Sequence, residues 1–96
     1  MSAGPPSPAD VLARLSALLR EVIAEPWAEE VVIGRETSFH HELELESIEF
    51  VVLAERLQEE YGERVDFAVW LSGMELDQIL SLRVGEVADF ICRCLS

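Results

Sequence analysis

Residues 47–62 read SIEFVVLAERLQEEYG, and this segment is the strongest indicator of the architecture. Its apolar residues repeat at three and four positions, so they lie within about 100° on one side of a helix. The residues on this side are Phe50, Leu53, Ala54, Leu57 and Tyr61. Gly62 can end such a helix, and Ser47 stands at its start, where a hydroxyl can act as the N-cap. The pattern predicts an amphipathic helix over residues 47–61 with one face in a core.

The part of the chain before this segment predicts a tail, a helix and a long loop. Residues 1–8 are small and rich in proline, so we expect a flexible tail. Ser7 and Pro8 are typical of a helix start, and apolar residues at helical spacing follow them, which predicts a helix over residues 8–24. Residues 26–46 keep no single period, so we expect a partly packed loop that contains a helical turn near its end.

The C-terminal third of the chain predicts further helices. Residues 65–82 contain many apolar side chains but are interrupted at Ser72-Gly73, which predicts one or two short helices. The final segment has apolar residues at helical spacing, namely Val84, Val87, Ala88, Ile91 and Leu95. Together these patterns predict an all-α fold, a small helical bundle with three main helices plus one or two short helices, in a single domain over residues 9–96.

The chain is strongly acidic, because four Asp and fifteen Glu stand against seven Arg and no Lys, which gives a net charge of −12. Nucleic acids and anionic membranes repel such a surface, so we expect neither as a partner and expect proteins with basic patches instead. Cys92 and Cys94 are too few and too close for a disulfide framework. With no long apolar run and no recognisable leader, the chain is expected to be cytoplasmic.

Few residues offer catalytic or metal-binding chemistry. His40 and His41 could be imagined in a metal site with Cys92 and Cys94, but adjacent residues rarely point at one ion. We therefore expect no metal site. Glycine-rich phosphate loops, calcium loops and nucleophile elbows are all absent from the sequence, and paired acids on a helix are expected to be solvated. The sequence therefore does not predict an enzyme.

Two separated motifs carry a resemblance to a known family. The first comprises Phe39, Glu42-Leu43, Glu46-Ser47-Ile48 and Tyr61-Gly62. The second is residues 82–91, which read LRVGEVADFI. In this order the motifs resemble those of the acyl carrier protein family, in which a phenylalanine and an acidic-Leu pair precede Asp-Ser-Leu at the start of an amphipathic helix. The resemblance extends from about Val11 to Leu95.

The resemblance implies a carrier function centred on Ser47. It implies that a separate phosphopantetheinyl transferase moves 4′-phosphopantetheine from coenzyme A onto Ser47, and that the chain then holds acyl groups as thioesters. The expected partners are that transferase and ketosynthase- or acyltransferase-type enzymes, and the carrier itself is expected to be a monomer without catalytic residues. Because residues 65–84 are longer than in bacterial fatty-acid carriers, the chain looks like the specialised carriers of polyketide or antibiotic biosynthesis. It departs from the family at Glu46, where Asp is usual, and at Glu44, where a small residue or Gly is usual.

The resemblance also assigns partner recognition to the helix over residues 47–61. The residues expected to contact partners are Glu46, Ile48, Glu49, Val52, Glu55 and Glu59. On a helical wheel Ile48 and Val52 point away from the core, so two apolar residues lie beside Ser47 with acids beyond them. The family commonly has an acid where Val52 stands, so the resemblance implies partners whose groove is less basic and more apolar than usual for the family. The simpler alternative is a solvated face. Trp27, Trp70 and Met74 either contact cargo or are simply part of the core.

Two alternative functions remain open at this point. The first is an acidic interaction module of the same fold without a prosthetic group, in which Ser47 is only an N-cap, and Glu44 and Glu46 favour it. The second is a peptidyl or aminoacyl carrier, against which the absence of a Gly-Gly-x-Ser pattern counts.

Overall fold

The computed structural model of the chain describes residues 7–95, except for the side chain of Ser47. Within these residues the α-helices are α1 (Pro8–Ile23), α2 (Ser47–Tyr61), α3 (Phe67–Ser72), α4 (Leu76–Leu80) and α5 (Val84–Leu95), with a 3₁₀ turn at Pro26–Glu29. The predicted all-α bundle of three main helices plus one or two short helices is confirmed, and α3 and α4 are the short ones. Most of the predicted tail, residues 1–6, lies outside the described residues, whereas Ser7 and Pro8 already belong to the start of α1.

Helix α1 begins and ends through backbone chemistry that the sequence largely indicates. The Asp10 N–H donates to the Ser7 Oγ at 3.2 Å, so Ser7 is the N-cap, as predicted. Ala24 adopts the left-handed conformation with φ 54°, and its N–H donates to the Arg20 carbonyl. The helix therefore ends one residue earlier than predicted, before Pro26 could interrupt it.

The core lies between α1, α2 and α5, with α1 packed against both of the others. On α2 the side chains of Phe50, Leu53 and Leu57 are buried, whereas Ala54 and Tyr61 are half-buried at the margin. Helices α1 and α5 contribute Val11, Leu15, Leu18, Leu19, Ile23, Val84, Val87, Ala88 and Ile91. Each large apolar side chain buried in this way stabilises the fold by about 1.5–3 kcal/mol, so the predicted stripes account for most of the packing.

The loop that leads to α2 is fastened to the start of α5. The Val84 N–H donates to the Thr37 carbonyl at 2.9 Å, and the Phe39 N–H donates to the Leu82 carbonyl at 3.3 Å. Phe39 itself is fully buried, and its ring lies 5.6 Å from that of Phe50. The helical turn expected before α2 is present, closed by hydrogen bonds to the Ser38 carbonyl. These contacts hold the segment before Ser47 against the core.

Helix α3, in the longer segment between α2 and α5, packs through aromatic contacts. The Trp70 ring stacks on the Phe90 ring with centroids 4.3 Å apart and planes at 7°. Phe67 is buried beneath it, and the Asp66 carboxylate caps the helix by accepting from the Val69 N–H. Trp70 therefore packs against the core, as do the half-buried Trp27 and Met74. Across residues 7–95 no helix is both long enough and apolar enough to cross a membrane.

Candidate functional site

Ser47 is the first residue of α2 and does not occupy the capping position. Glu46 is the N-cap, with extended backbone angles of φ −94° and ψ 167°. Glu46 and Glu49 form a capping box in which the Glu46 N–H donates to the Glu49 Oε1 at 2.9 Å. The prediction that Ser47 is the N-cap is therefore wrong. Because a glutamate pair caps the helix, α2 does not need a hydroxyl at position 47 to begin.

The turn before α2 alternates buried and exposed residues. Leu43 and Leu45 are buried on either side of Glu44, which is exposed. Glu44 has φ 53°, in the left-handed region that favours glycine. This conformation explains why a small residue or glycine would suit the position, although glutamate occupies it here.

A cleft of about 650 Å³ opens beside the start of α2, between the preceding turn and α4. We call it the α2–α4 cleft, and its walls are formed by His40, Glu44, Leu45, Glu46, Ile48, Phe50, Leu76, Ile79 and Leu80. Both sequence neighbours of Ser47, namely Glu46 and Ile48, are exposed and line this cleft. A group attached at position 47 would therefore start at the rim of a cleft with mainly apolar walls.

A second cavity of about 420 Å³ adjoins the first, and we call it the α2–α3 groove. It is lined by Phe50, Val51, Ala54, Glu55, Gln58, Val65, Asp66, Phe67, Ala68, Leu71, Ser72 and Ile79, of which Phe50 and Ile79 also line the α2–α4 cleft. Val51 is not among the predicted partner-recognition residues, although it is 53% exposed at the edge of this groove. The sequence could have indicated this, because residues three or four apart lie on the same side of a helix. Val51 follows Ile48 by three positions and precedes Glu55 by four.

The structure leaves most of the predicted partner-recognition residues accessible. Ile48 is 65% exposed and Val52 is 36% exposed, which confirms that both point away from the core. Glu46, Glu55 and Glu59 are exposed as well. Glu49 differs, since it is half-buried and its carboxylate accepts the Glu46 N–H. The face beside Ser47 thus combines apolar and acidic side chains.

The residues considered for a metal site do not form one in the part of the chain that the structure describes. In residues 7–95 no group of three or more His, Cys, Asp and Glu side chains could hold a metal ion. The His40 and His41 rings pack edge to face with centroids 5.0 Å apart. Cys92 and Cys94 are half-buried on α5, and burial raises the pKa of the Cys92 thiol, which weakens it as a nucleophile at neutral pH.

A protein-family model described as the phosphopantetheine attachment site matches residues 13–82. The chain belongs to this family. The match runs from within α1 to the residues before α5 and confirms the predicted acyl carrier type of protein. The family carries covalently attached 4′-phosphopantetheine, so the chain is a phosphopantetheine-bearing carrier protein. No curated protein and no solved structure matches the chain.

Two general properties follow from membership of this family. Its carrier domains are generally not catalytic themselves. They interact with a phosphopantetheinyl transferase and with biosynthetic enzymes.

The residues around Ser47 fit such an arm. The α2–α4 cleft combines polar side chains, namely His40, Glu44 and Glu46, with apolar walls. The arm has a charged phosphodiester at its attached end and less polar atoms beyond it, so it offers groups for both kinds of wall. Helix α2 also presents its N-terminal end, where free backbone N–H groups and the helix dipole favour an anion.

Proposed function

We propose that Ser47 is the residue that bears 4′-phosphopantetheine and that the chain carries acyl groups as thioesters on this arm. The observation that carries the proposal is the position of Ser47, the first residue of α2, between two exposed residues that line the α2–α4 cleft. The hydroxyl oxygen of Ser47 attacks a phosphorus of the coenzyme A pyrophosphate, and adenosine 3′,5′-bisphosphate leaves. The transferase supplies the magnesium ion and accepts the hydroxyl proton.

The other serines in the matched region are less suitable for modification. They are Ser16, Ser38, Ser72 and Ser81. Ser16 and Ser38 are buried in the bundle. Ser72 and Ser81 are exposed, but they lie at the C-terminal ends of α3 and α4, where helix carbonyls disfavour a phosphate. Their hydroxyls also donate to backbone carbonyls at 2.7 and 2.8 Å.

The proposed partners bind the face of α2 beside Ser47. Glu46, Glu55 and Glu59 attract basic residues and accelerate encounter, while Ile48 and Val52 provide the apolar contact. Glu49 contributes mainly by fixing the N-terminus of α2. Small mixed surfaces of this kind favour brief complexes, which a carrier that visits several enzymes requires.

The pathway that we propose is polyketide-type or related specialised biosynthesis, with ketosynthase- or acyltransferase-type partners. The support is helix α3, which occupies the segment that is longer than in bacterial fatty-acid carriers and packs on α5 through Trp70 and Phe90. In this proposal the chain is a monomeric cytoplasmic carrier that performs no catalysis itself, and residues 9–96 form its one domain.

Intact mass spectrometry tests the attachment. The chain is incubated with coenzyme A and a broad-specificity phosphopantetheinyl transferase, and the expected result is a gain of one 4′-phosphopantetheine group. Ser47→Ala should gain nothing, whereas the matched control Ser72→Ala should be loaded like the wild type. Loading of Ser47→Ala to the same extent would refute the proposal.

A second candidate function is an acidic interaction module in which partner binding by α2 does not depend on the arm. The exposed Ile48, Val51 and Val52 favour it, because a binding surface on α2 would exist without modification. Binding to an isolated partner distinguishes the two functions. If the chain acts as such a module, the Ser47→Ala variant should bind its partner as tightly as the wild type.

A further inference from the structure

His40 lies on a turn that is fastened directly to the start of α2. The Leu45 N–H donates to the Phe39 carbonyl at 2.9 Å, so the two ends of the turn are in hydrogen-bond contact. The N–H groups of Glu42 and Leu43 both donate to the Ser38 carbonyl, at 3.2 and 3.1 Å. The buried Phe39 anchors the turn in the core. The position of His40 relative to the N-terminus of α2 is therefore set by the fold.

This anchoring brings His40 to the same cleft as the residues on either side of Ser47. The exposed His40, Glu46 and Ile48 all line the α2–α4 cleft. His41 is also exposed but does not line the cleft. The two adjacent imidazoles therefore differ in their access to a group attached at position 47.

The sequence around Ser47 is strongly acidic, and His40 is one of its few side chains that can carry a positive charge. Residues 36–55 contain six glutamates and no Lys or Arg, so His40 and His41 are the only side chains there that can become cationic. Arg56, the next cation along the chain, is paired with Glu21 at 3.1 Å. A phosphodiester at position 47 adds a negative charge to an already acidic region, where like charges repel.

We propose that His40 is a positioning residue that donates an imidazole N–H to the phosphodiester of the arm and holds the first part of the arm in the α2–α4 cleft. This inference rests on the proposed attachment to Ser47. The other titratable groups that face His40 are the carboxylates of Glu44 and Glu46 in the cleft and the ring of His41 beside it. Protonation of the imidazole strengthens the contact, because a charge-assisted hydrogen bond replaces a neutral donor.

Phosphorus NMR of the loaded chain tests the contact between pH 5 and pH 8. A phosphodiester keeps its single charge over this range, so its ³¹P shift changes only if a group close to it titrates. The wild type should show a sigmoidal change of the ³¹P shift within this range. His40→Gln should flatten the profile, and the matched control His41→Gln should preserve it.

The outcomes separate this inference from the proposed function. A flat profile in the fully loaded wild type, or an unchanged profile in His40→Gln, would overturn the role of His40 and leave the attachment intact. Loss of the profile in His41→Gln alone would overturn the assignment to His40. A chain that gains no mass at all would overturn both. His40→Gln should unfold thermally at the same temperature as the wild type. This result would show that the substitution changes the contact with the arm and not the stability of the fold.

Discussion

Gly85 in α5 lies against the backbone of Arg35, and its N–H donates to the Arg35 carbonyl at 2.9 Å. A Cβ at position 85 would stand 2.9 Å from both the carbonyl oxygen and the Cβ of Arg35. This close approach, possible for glycine alone, joins the loop that leads to Ser47 to the first turn of α5. The neighbouring ion pair between Arg35 and Asp89, at 2.7 Å, reinforces the same junction.

We expect Gly85→Ala to destabilise the chain by about 1–3 kcal/mol, because the added methyl group meets backbone atoms that cannot rotate away. We expect this loss of stability although alanine is a better helix former than glycine by about 1 kcal/mol. Urea unfolding followed by circular dichroism measures it. Gly34→Ala is the matched control, since a Cβ there meets nothing within 4 Å, and its stability should be close to that of the wild type. Equal stability of Gly85→Ala and wild type would disprove the close contact.

Glu44→Gly should be more stable than Glu44→Ala by about 1 kcal/mol. Both substitutions remove the same charge, but only glycine adopts φ 53° without steric cost from a Cβ. Chemical unfolding of the two variants side by side gives the difference. If the alanine variant were as stable as the glycine variant, the left-handed conformation at position 44 would be incorrect.

The Arg35–Asp89 ion pair should make the free energy of unfolding depend on pH. The hydrogen bond from Arg35 lowers the pKa of Asp89, so this carboxylate binds its proton more weakly in the folded than in the unfolded chain. The pair therefore stabilises the fold above the ordinary aspartate range, near pH 4. This stabilisation is lost as the pH falls through the lowered pKa of Asp89.

Arg35→Gln should therefore be less stable than the wild type at pH 7, and the difference should shrink as the pH falls below the ordinary aspartate range. Added salt should shrink the difference at pH 7, because both side chains are about half-exposed. Urea unfolding over this pH range measures both effects. A difference that stayed constant from pH 7 to pH 2 would show that the carboxylate is not involved.

Val52→Asp should lower kcat/KM for modification of the chain by a phosphopantetheinyl transferase by roughly tenfold, as expected for the loss of an apolar contact worth more than 1 kcal/mol. Val32→Asp is the matched control, since Val32 is 87% exposed but lines neither the α2–α4 cleft nor the α2–α3 groove. It should leave the rate unchanged. If both variants reacted like the wild type, partner recognition would rest on charge alone.

The helices were predictable because their apolar residues repeat at helical spacing. Helix α2 spans the predicted residues 47–61, and Phe50, Leu53 and Leu57 are buried as the wheel requires. Periodicity cannot identify tertiary partners, so the stacking of Trp70 on Phe90, twenty residues away, was not foreseen. Both aromatic residues were visible in the sequence, but their contact depends on how α3 packs against α5 in the folded chain.

The sequence indicated which residues to consider for the site, whereas their arrangement depends on backbone geometry. Serine is usually the better N-cap, which favoured Ser47, but Glu46 occupies the N-cap position and forms a capping box with Glu49. The sequence showed that Glu44 stands where the family usually has a small residue or glycine. Its left-handed conformation could be seen only in the structure. His40 was considered only as a metal ligand, because its place in the cleft depends on the hydrogen bond between Leu45 and Phe39.

Tandem mass spectrometry of the loaded chain locates the arm on a single residue. After reaction with coenzyme A and a phosphopantetheinyl transferase, the chain is digested and the fragment ions that carry the added mass are assigned. We predict that the arm resides on Ser47 and that no other residue carries it. An arm on Ser72 or Ser81, or an unmodified chain under conditions that fully load another carrier protein, would refute Ser47 as the attachment residue.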